Sequence, residues 1–417
     1  MFFELKIEEK RELPNQVYVR ADTAFSEDGR VWLEAVDAIW FDGNSKKNVG
    51  FGQVAESALS IVEARLSPQA WNAMRADARW LALDLGNKPH DMGVTVKHYG
   101  NLFADGKLRS LKNVQGVYGP TANELDKTVD TSSIQDADPA DIAELLDIND
   151  RIIDPSVAVY DVGQGNCNAL LARNVPCIYF DIGGGVLDHA LTFPATLKNF
   201  CFSYGPAIVL SHWDWDHWSS AYRDPKAFDV KWIAPRQNFG NIHAACASRI
   251  GSNLMFWPNA HRIGNNNIWI EKCQSRGKNR NHTGLAFIVE FDGNRIILPG
   301  DARYSSFPSG KPGSPDVLSL VAPHHGADMR SAHVPCSTAR PESRVAISCG
   351  DPNRYDHPRW NTIERHGLAN WQQFLRTDNR RSNQPAHIRL EFPGHSKQPS
   401  GLVPCGENMC QLSTRQS

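Results

Sequence analysis

From about residue 156 onward the sequence predicts an α/β protein built as two packed β-sheets with helices on their outer faces, an αββα sandwich. Three observations predict it. Short strand-like runs follow one another at close intervals, at 156–161, 169–173, 177–181, 207–211, 230–234, 267–271, 285–291, 295–299, 316–322, 344–348 and 386–392. Helical patterns are few and fall between them, after 217, at 241–249 and at 360–376. Asp292-Gly293-Asn294 joins two of the runs as a hairpin turn.

The preceding 150 residues read as a separate α+β domain, and a chain of 417 residues has room for two. Gln16–Arg20 and Arg30–Val36 alternate as strands, with turn signals at Glu27-Asp28-Gly29 and Phe41-Asp42-Gly43-Asn44. Residues 54–84 carry apolar side chains at helical spacing, broken at Ser67-Pro68, where a second helix would be capped. The Trp71 and Met74 side chains read as core, and His90 and His98 as structural. The polar stretch 121–140 reads as a linker, followed by a capped helix from Asp138. These signals put the boundary near residue 150, with domains 1–150 and 151–417.

One stretch concentrates chemistry. Ser211-His212-Trp213-Asp214-Trp215-Asp216-His217-Trp218 follows the apolar run Ala207–Leu210 and places two imidazoles and two carboxylates within six residues. A lone His-x-Asp is ordinarily solvated or hydrogen-bonded. Four ligand-type side chains packed this closely at a strand end suit divalent ions. On an extended loop His212, Asp214 and Asp216 point one way, and His217 turns in as the chain bends.

The spacing H-x-D-x-D-H resembles the first metal motif of the metallo-β-lactamase fold, in the variant of the β-lactamase-like domain of the competence protein ComEC. Five further segments carry the resemblance, in the family's order: Val159–Gly165, Tyr179–Gly185, Ile297–Ala302, Val321–Gly326 and Asn353–Pro358. It covers about residues 155 to 395. It implies that Asp301 bridges two ions, that His357 is the last ligand, and that Asp181 lies beneath the site and orients an imidazole. The implied metal ligands are His212, Asp214, Asp216, His217, Asp301, His325 and His357. Asp216 and His325 are the expected catalytic residues, His325 as ligand or as the acid for the leaving oxygen. Adjacent residues on an extended chain point oppositely, so His324 is expected behind the ligands with Asp161 and Asp181. His243, His261 and His282 lie between the first motif and Asp301, none in a context that marks a ligand. Oxygen-rich ligation favours two manganese ions ahead of zinc, with magnesium also compatible.

Nucleic acid is the expected substrate. Trp213 and Trp215 could stack bases, with packing behind the site as their alternative, and Trp218 shares that choice. The loops Arg276–Asn281 and Arg376–Arg381 could contact phosphates, Arg280 and Asn281 foremost. A net charge of −2 excludes a globally basic coat protein. The first ten residues lack a secretory apolar core, and no 18-residue apolar run exists, so a cytoplasmic protein without membrane attachment is expected. Nine cysteines without zinc spacing read as buried thiols, Cys405 and Cys410 being the one close pair. The leading expectation is a dinuclear metal-dependent phosphodiesterase acting on DNA. Two alternatives are a small-molecule hydrolase for lactones, thioesters or nucleotide phosphoesters, and a metal-binding scaffold. Residues 1–150 could bind a protein partner or dimerise.

Overall fold

A computed structural model describes residues 12–20, 30–65, 79–89, 94–148, 152–275, 279–329, 333–380 and 384–394. The expectations at Glu27–Gly29, Ser67-Pro68, Trp71, Met74, His90, Arg276–Lys278, Arg381, Cys405 and Cys410 lie outside the described residues. By its contacts the chain forms two units, Met1–Ile134 with Asn238–Gly251, and Gln135–Gln237 with Ser252–Ser417.

The first unit is a closed antiparallel barrel of β1 (Gln16–Arg20), β2 (Arg30–Asp37), β3 (Leu59–Arg65), β4 (Trp80–Leu85), β5 (Val94–Tyr99) and β6 (Lys107–Val117), in the order β1-β2-β3-β5-β6-β4. Period-2 alternation sends Val17, Val19, Leu33, Ala35, Leu81 and Leu83 into one core. The helix expected at 54–84 is therefore replaced, among the described residues, by a 3-10 turn at Glu56–Ala58 and by strands β3 and β4. Ile61-Val62 fits both periods and cross-strand pairing decides between them, whereas Leu81-x-Leu83-x-Leu85 alternates with the period of a strand. The turn expected at Phe41–Asn44 is instead the end of α1 (Ala38–Asn44), because the Asp37 carboxylate caps the amides of Ile39 and Trp40. The expected linker begins as α2 (Gly119–Lys127), pinned by buried Leu125 and by the Thr128 hydroxyl, which donates to Leu125 O at 2.6 Å.

The second unit holds two seven-stranded sheets in a mixed α/β arrangement. One contains β7 (Pro155–Val159), β8 (Cys167–Ala172), β9 (Val175–Ile182), β10 (Ala207–Val209), β11 (Trp232–Ala234), β12 (Leu254–Phe256) and β20 (Ile388–Glu391). The other contains β13 (Arg262–Gly264), β14 (Ile268–Lys272), β15 (Leu285–Phe291), β16 (Asn294–Leu298), β17 (Ser319–Val321), β18 (Arg344–Ile347) and β19 (Phe374–Arg376). The sheets meet in one core, where Phe180 stacks on Phe287 at 5.8 Å. Phe287, Val289, Ile296 and Leu298 face that core, while their strand neighbours Ala286, Ile288 and Ile297 face a second one. Burial on both faces explains the continuous apolar runs. Asp292 and Gly293 form the β15–β16 turn with φ of 50° and 70°, the primed geometry that suits strand twist.

Helix α3 (Pro139–Leu146) starts at Asp138, whose carboxylate accepts from Ala140 N, and buries Ile142 and Leu146 in the sandwich core. It therefore belongs with the sandwich, although it precedes residue 150. In the other direction α4 (Asn241–Ile250) joins the first unit. Both Glu34 and His243 are buried there and paired, and Glu34 also accepts from Ile242 N at 2.6 Å. After residue 217 the chain makes 3-10 turns at Trp215–His217, Ser219–Tyr222 and Pro225–Asp229 rather than an α-helix. The helix expected at 360–376 stops early, as α5 (Trp360–Leu368), because Asn370 takes a left-handed conformation and the chain turns into β19. Six of the seven described cysteines are buried, Cys336 is exposed, and all seven are free thiols. No described helix is long and apolar enough to cross a membrane.

Beside β20, His387 is buried and its Nδ1 accepts from Asp161 N at 2.9 Å. Burial pushes its pKa down from 6.5 to about 4. The folded state keeps this ring neutral, whereas the unfolded chain protonates it below about pH 6.5. Stability should therefore fall as pH drops from 6.5 to 4, by about 1.4 kcal/mol per pH unit. Urea unfolding across that window should show the slope in the wild type and a shallower one in His387→Gln.

Candidate metal centre

The site is built at the carboxyl ends of the parallel strands of both sheets. Strand β9 carries Asp181 next to its last residue, β10 leads into Ser211-His212, β16 into Asp301, and β17 into His324-His325. Such strand ends leave side chains free while fixing their backbones.

Asp181 organises this end. It is fully buried and sits at φ 63°, a region asparagine and aspartate tolerate better than most residues. Its carboxylate accepts from Ser211 N at 2.7 Å, Ser211 Oγ at 2.8 Å, Asn166 Nδ2 at 3.0 Å and His217 Nδ1 at 2.7 Å. The Ser211 hydroxyl has one proton, given to Asp181, so it accepts from His212 Nδ1 at 3.0 Å. His325 Nδ1 donates to the Ser348 carbonyl at 2.9 Å. Each ring is thus fixed with its Nε2 lone pair free.

These lone pairs converge. His217 Nε2 is 3.2 Å and His212 Nε2 3.8 Å from the Asp301 carboxylate, and His212 Nε2 is 3.3 Å from Asp214. His325 Nε2 is 3.2 Å from Asp216. Two sets, His212–His217–Asp301 and Asp216–His217–His325, each bring three ligand atoms within 4.8 Å of one another. His212 Nε2, His217 Nε2, His325 Nε2 and Asp301 Oδ1 are buried with no hydrogen-bond partner. Buried polar atoms are normally satisfied. Four orphans in one place, mixed nitrogen and oxygen donors, fit divalent cations.

The electrostatics agree. Burial disfavours a charged imidazole, but Asp301 and Asp181 pull His217 well above its ordinary pKa, and Asp301 and Asp216 do the same for His325. Burial likewise raises carboxyl pKa values, yet His217, His324 and His325 hold Asp301 well below the usual range. His212 and Arg280 do so for Asp214, with Arg280 3.5 Å away. A field that draws protons onto histidines is one that a dication would answer.

The remaining residues sort themselves by position. The metal loop is not extended: Trp215–His217 is a 3-10 turn, so Asp216 diverges from His212 and Asp214 and faces His325 instead. Its backbone is held by Asn166 N and Gly184 N, both donating to Asp216 O, and Gly183 must be glycine because a Cβ would collide with that carbonyl. His324 and His325 both face the cluster, which corrects the expectation of opposed rings. Both adopt left-handed conformations, φ 50° and 55°, so extended alternation does not apply. His324 Nε2 lies 3.6 Å from Asp301. His357 stands beside His324, ring centroids 5.7 Å apart, outside both triads, and burial with the neighbouring His324 pushes its pKa down to about 2. Its carbonyl accepts from Asn353, which Gln164 Oε1 holds in turn at 2.8 Å.

Asp161 is no part of this cluster. Its carboxylate is engaged by Arg380 at 2.6 Å and by Ala386 N. Arg380 is thereby removed as a phosphate contact, and Arg376 is paired with Asp378. Trp213 and Trp218 are fully buried behind the loop, donating to Pro235 O and Trp213 O, so neither can stack a base. Trp215 is half-buried, and Asn281 sits in the turn Arg280–His282 with its amide on Asn279.

His282 is the residue the sequence reading passed over. Its Nδ1 is buried without a partner, and burial, Arg303 and His324 push its pKa down to about 4. Asp301 and His212 also lie near it. The available signal was positional: His282-Thr283-Gly284 leads directly into the hairpin that ends on Asp301, and Leu285 N donates to Ser211 O. By contrast His243 belongs to the first unit and His261 bonds Gln274 near the surface.

Comparison with known proteins gives little more. No protein-family model matches the chain, and no curated protein matches its sequence. Among solved structures, the metallo-β-lactamase fold protein YhfI from Bacillus subtilis aligns at 11% identity over 54% of this chain and 96% of its own, TM-score 0.32. Tm1679, a metal-dependent hydrolase of the β-lactamase superfamily, aligns at 10% identity over 57% and 99%, TM-score 0.35. Zinc-bound PqqB from Methylobacterium extorquens aligns at 7% identity over 56% and 99%, TM-score 0.31. None of these likenesses bears on the chemistry of this site, which rests on its own geometry.

Proposed function

We propose that this chain is a metal-dependent hydrolase of the metallo-β-lactamase kind that cleaves phosphodiester bonds of nucleic acid, DNA first. The observation that carries the reading is the convergence of four buried, unpartnered ligand atoms from His212, His217, His325 and Asp301. Asp214 and Asp216 complete the two ion positions, and their half-exposed side chains leave the centre open to solvent on one side. An open rim suits a polymer better than an enclosed small molecule. Two manganese or zinc ions fit the mixed donors.

When bound, such ions supply charge opposite the developing phosphate negative charge and acidify the attacking water. The chain's own groups do the rest. Asp181 and Ser348 fix the ring orientations, so the ligand atoms need no rearrangement. Arg280 beside Asp214, and exposed Arg303 near His282, are placed to hold phosphate oxygens. His324, 30% exposed, is the cluster histidine that substrate can reach, and it is assigned the proton for the leaving oxygen. His325 is better suited to a ligand role, because its Nδ1 proton is engaged by Ser348.

The test is hydrolysis of bis(p-nitrophenyl) phosphate and of linear, circular and single-stranded DNA with manganese, magnesium, zinc or EDTA, alongside elemental analysis. Metal-dependent cleavage lost in Asp216→Ala is expected. Two bound ions with no cleavage of any of these substrates would overturn the phosphodiesterase reading.

A further inference from the structure

Of the tryptophans among the described residues, Trp360 alone is exposed, at 75%. Exposing so large an apolar surface is unfavourable unless something covers it. Its place in the chain is specific. It opens helix α5 three residues after His357, so chain geometry alone keeps its Cα within about 11 Å of that of His357.

The helix start is also fixed to the cluster. Arg359 N donates to the carbonyl of Gly326, the residue after His325, at 2.9 Å. Thr362 Oγ1 donates to Ala327 O at 2.7 Å, and Asn361 and Arg365 both bond Asp328. Four contacts over the seven residues from Arg359 to Arg365 make α5 a rigid extension of the His324-His325 loop. Beside Trp360, Arg359 is solvent-accessible and paired with the exposed carboxylate of Asp356. Such a pair exchanges readily for a phosphate.

We infer that Trp360 is the stacking platform for an unpaired base of the substrate, next to the phosphate bound at the metal centre. An aromatic face with an adjacent guanidinium is the chemistry that grips single-stranded nucleic acid without reading its sequence. Trp213 and Trp218 cannot do this, being buried. The inference rests on the phosphodiesterase reading and narrows its substrate class to single-stranded or locally unpaired nucleic acid.

The experiment compares wild type, Trp360→Ala and Trp360→Phe. Binding of a fluorescein-labelled oligothymidylate is measured by anisotropy in EDTA, and hydrolysis of bis(p-nitrophenyl) phosphate is measured with manganese. Because the side chain is exposed, both variants should melt with the wild type. Expected is an about tenfold weaker oligonucleotide affinity in Trp360→Ala, the scale of one lost stack, largely restored in Trp360→Phe. Hydrolysis of the small diester should be unchanged. Equal affinity in Trp360→Ala, or a wild type that hydrolyses the small diester but does not bind the oligonucleotide, would overturn the inference. Trp360-dependent binding in a protein that hydrolyses nothing would support it while sinking the hydrolase reading.

Discussion

Replacing Asp301 with alanine should abolish hydrolysis and empty the metal centre. Its carboxylate approaches His217, His212 and His324 at 3.2, 3.8 and 3.6 Å, and among the described residues no other carboxylate pairs with all three. Losing one preorganised group that answers transition-state charge costs about 10²–10³-fold in kcat. Here the loss should be larger, because the proposed ion position formed with His212 and His217 would lose its carboxylate. Asp301→Asn keeps the volume and one accepting oxygen but removes the charge. It should retain the fold, bind at most one ion by elemental analysis, and lose activity almost as fully. A fully active Asp301→Asn protein would show that this carboxylate is not needed.

Asp181→Ala should be damaging in a different way. The carboxylate never reaches solvent, yet it receives four hydrogen bonds that fix Ser211, Asn166 and His217. Removing it strands buried donors and leaves alanine in a left-handed conformation it tolerates poorly. A loss of about 3–5 kcal/mol is expected, the range for breaking a buried charged network. Asp181→Asn avoids the cavity and accepts the left-handed backbone, so it separates stability from orientation. It should melt closer to the wild type but bind manganese about 10–100-fold more weakly, since the imidazole loses its orienting carboxylate. Isothermal titration of manganese into each melted-and-checked variant reads this directly. Unchanged affinity in Asp181→Asn would mean that His217 needs no such partner.

Much of this centre was legible because its residues are contiguous or motif-bound. His212, Asp214, Asp216 and His217 come from one loop, and Asp301 and His325 end apolar strands. What escaped was set by three-dimensional conformation. The two rings of His324 and His325 converge only because both residues are left-handed, a state no residue pattern in Ala322–Gly326 announces. His282 acquires meaning only once the β15–β16 hairpin carries it beside Ser211. Arg380 looked like a phosphate contact until Asp161, 219 residues earlier, was found holding it. In the first unit, β3 was hidden because Leu, Ile and Ala spacing there fits either period, and only barrel closure chooses. The two packed sheets were clearer, since strands buried on both faces leave unbroken apolar runs.

The excursion of residues 238–251 into the first unit has a consequence for the order in which the chain can fold. Glu34 is synthesised early, but the amide of Ile242 and the ring of His243 that satisfy its buried carboxylate arrive some two hundred residues later. Gly240 must also fit against that carboxylate, where any side chain would collide. At 5–20 residues per second the ribosome needs on the order of 10 s to travel from residue 134 to residue 251. During that interval the face of β2 that carries Glu34, opposite the core-facing Leu33 and Ala35, lacks the segment that covers it in the folded chain. A gene cut after residue 134 would make that transient state permanent.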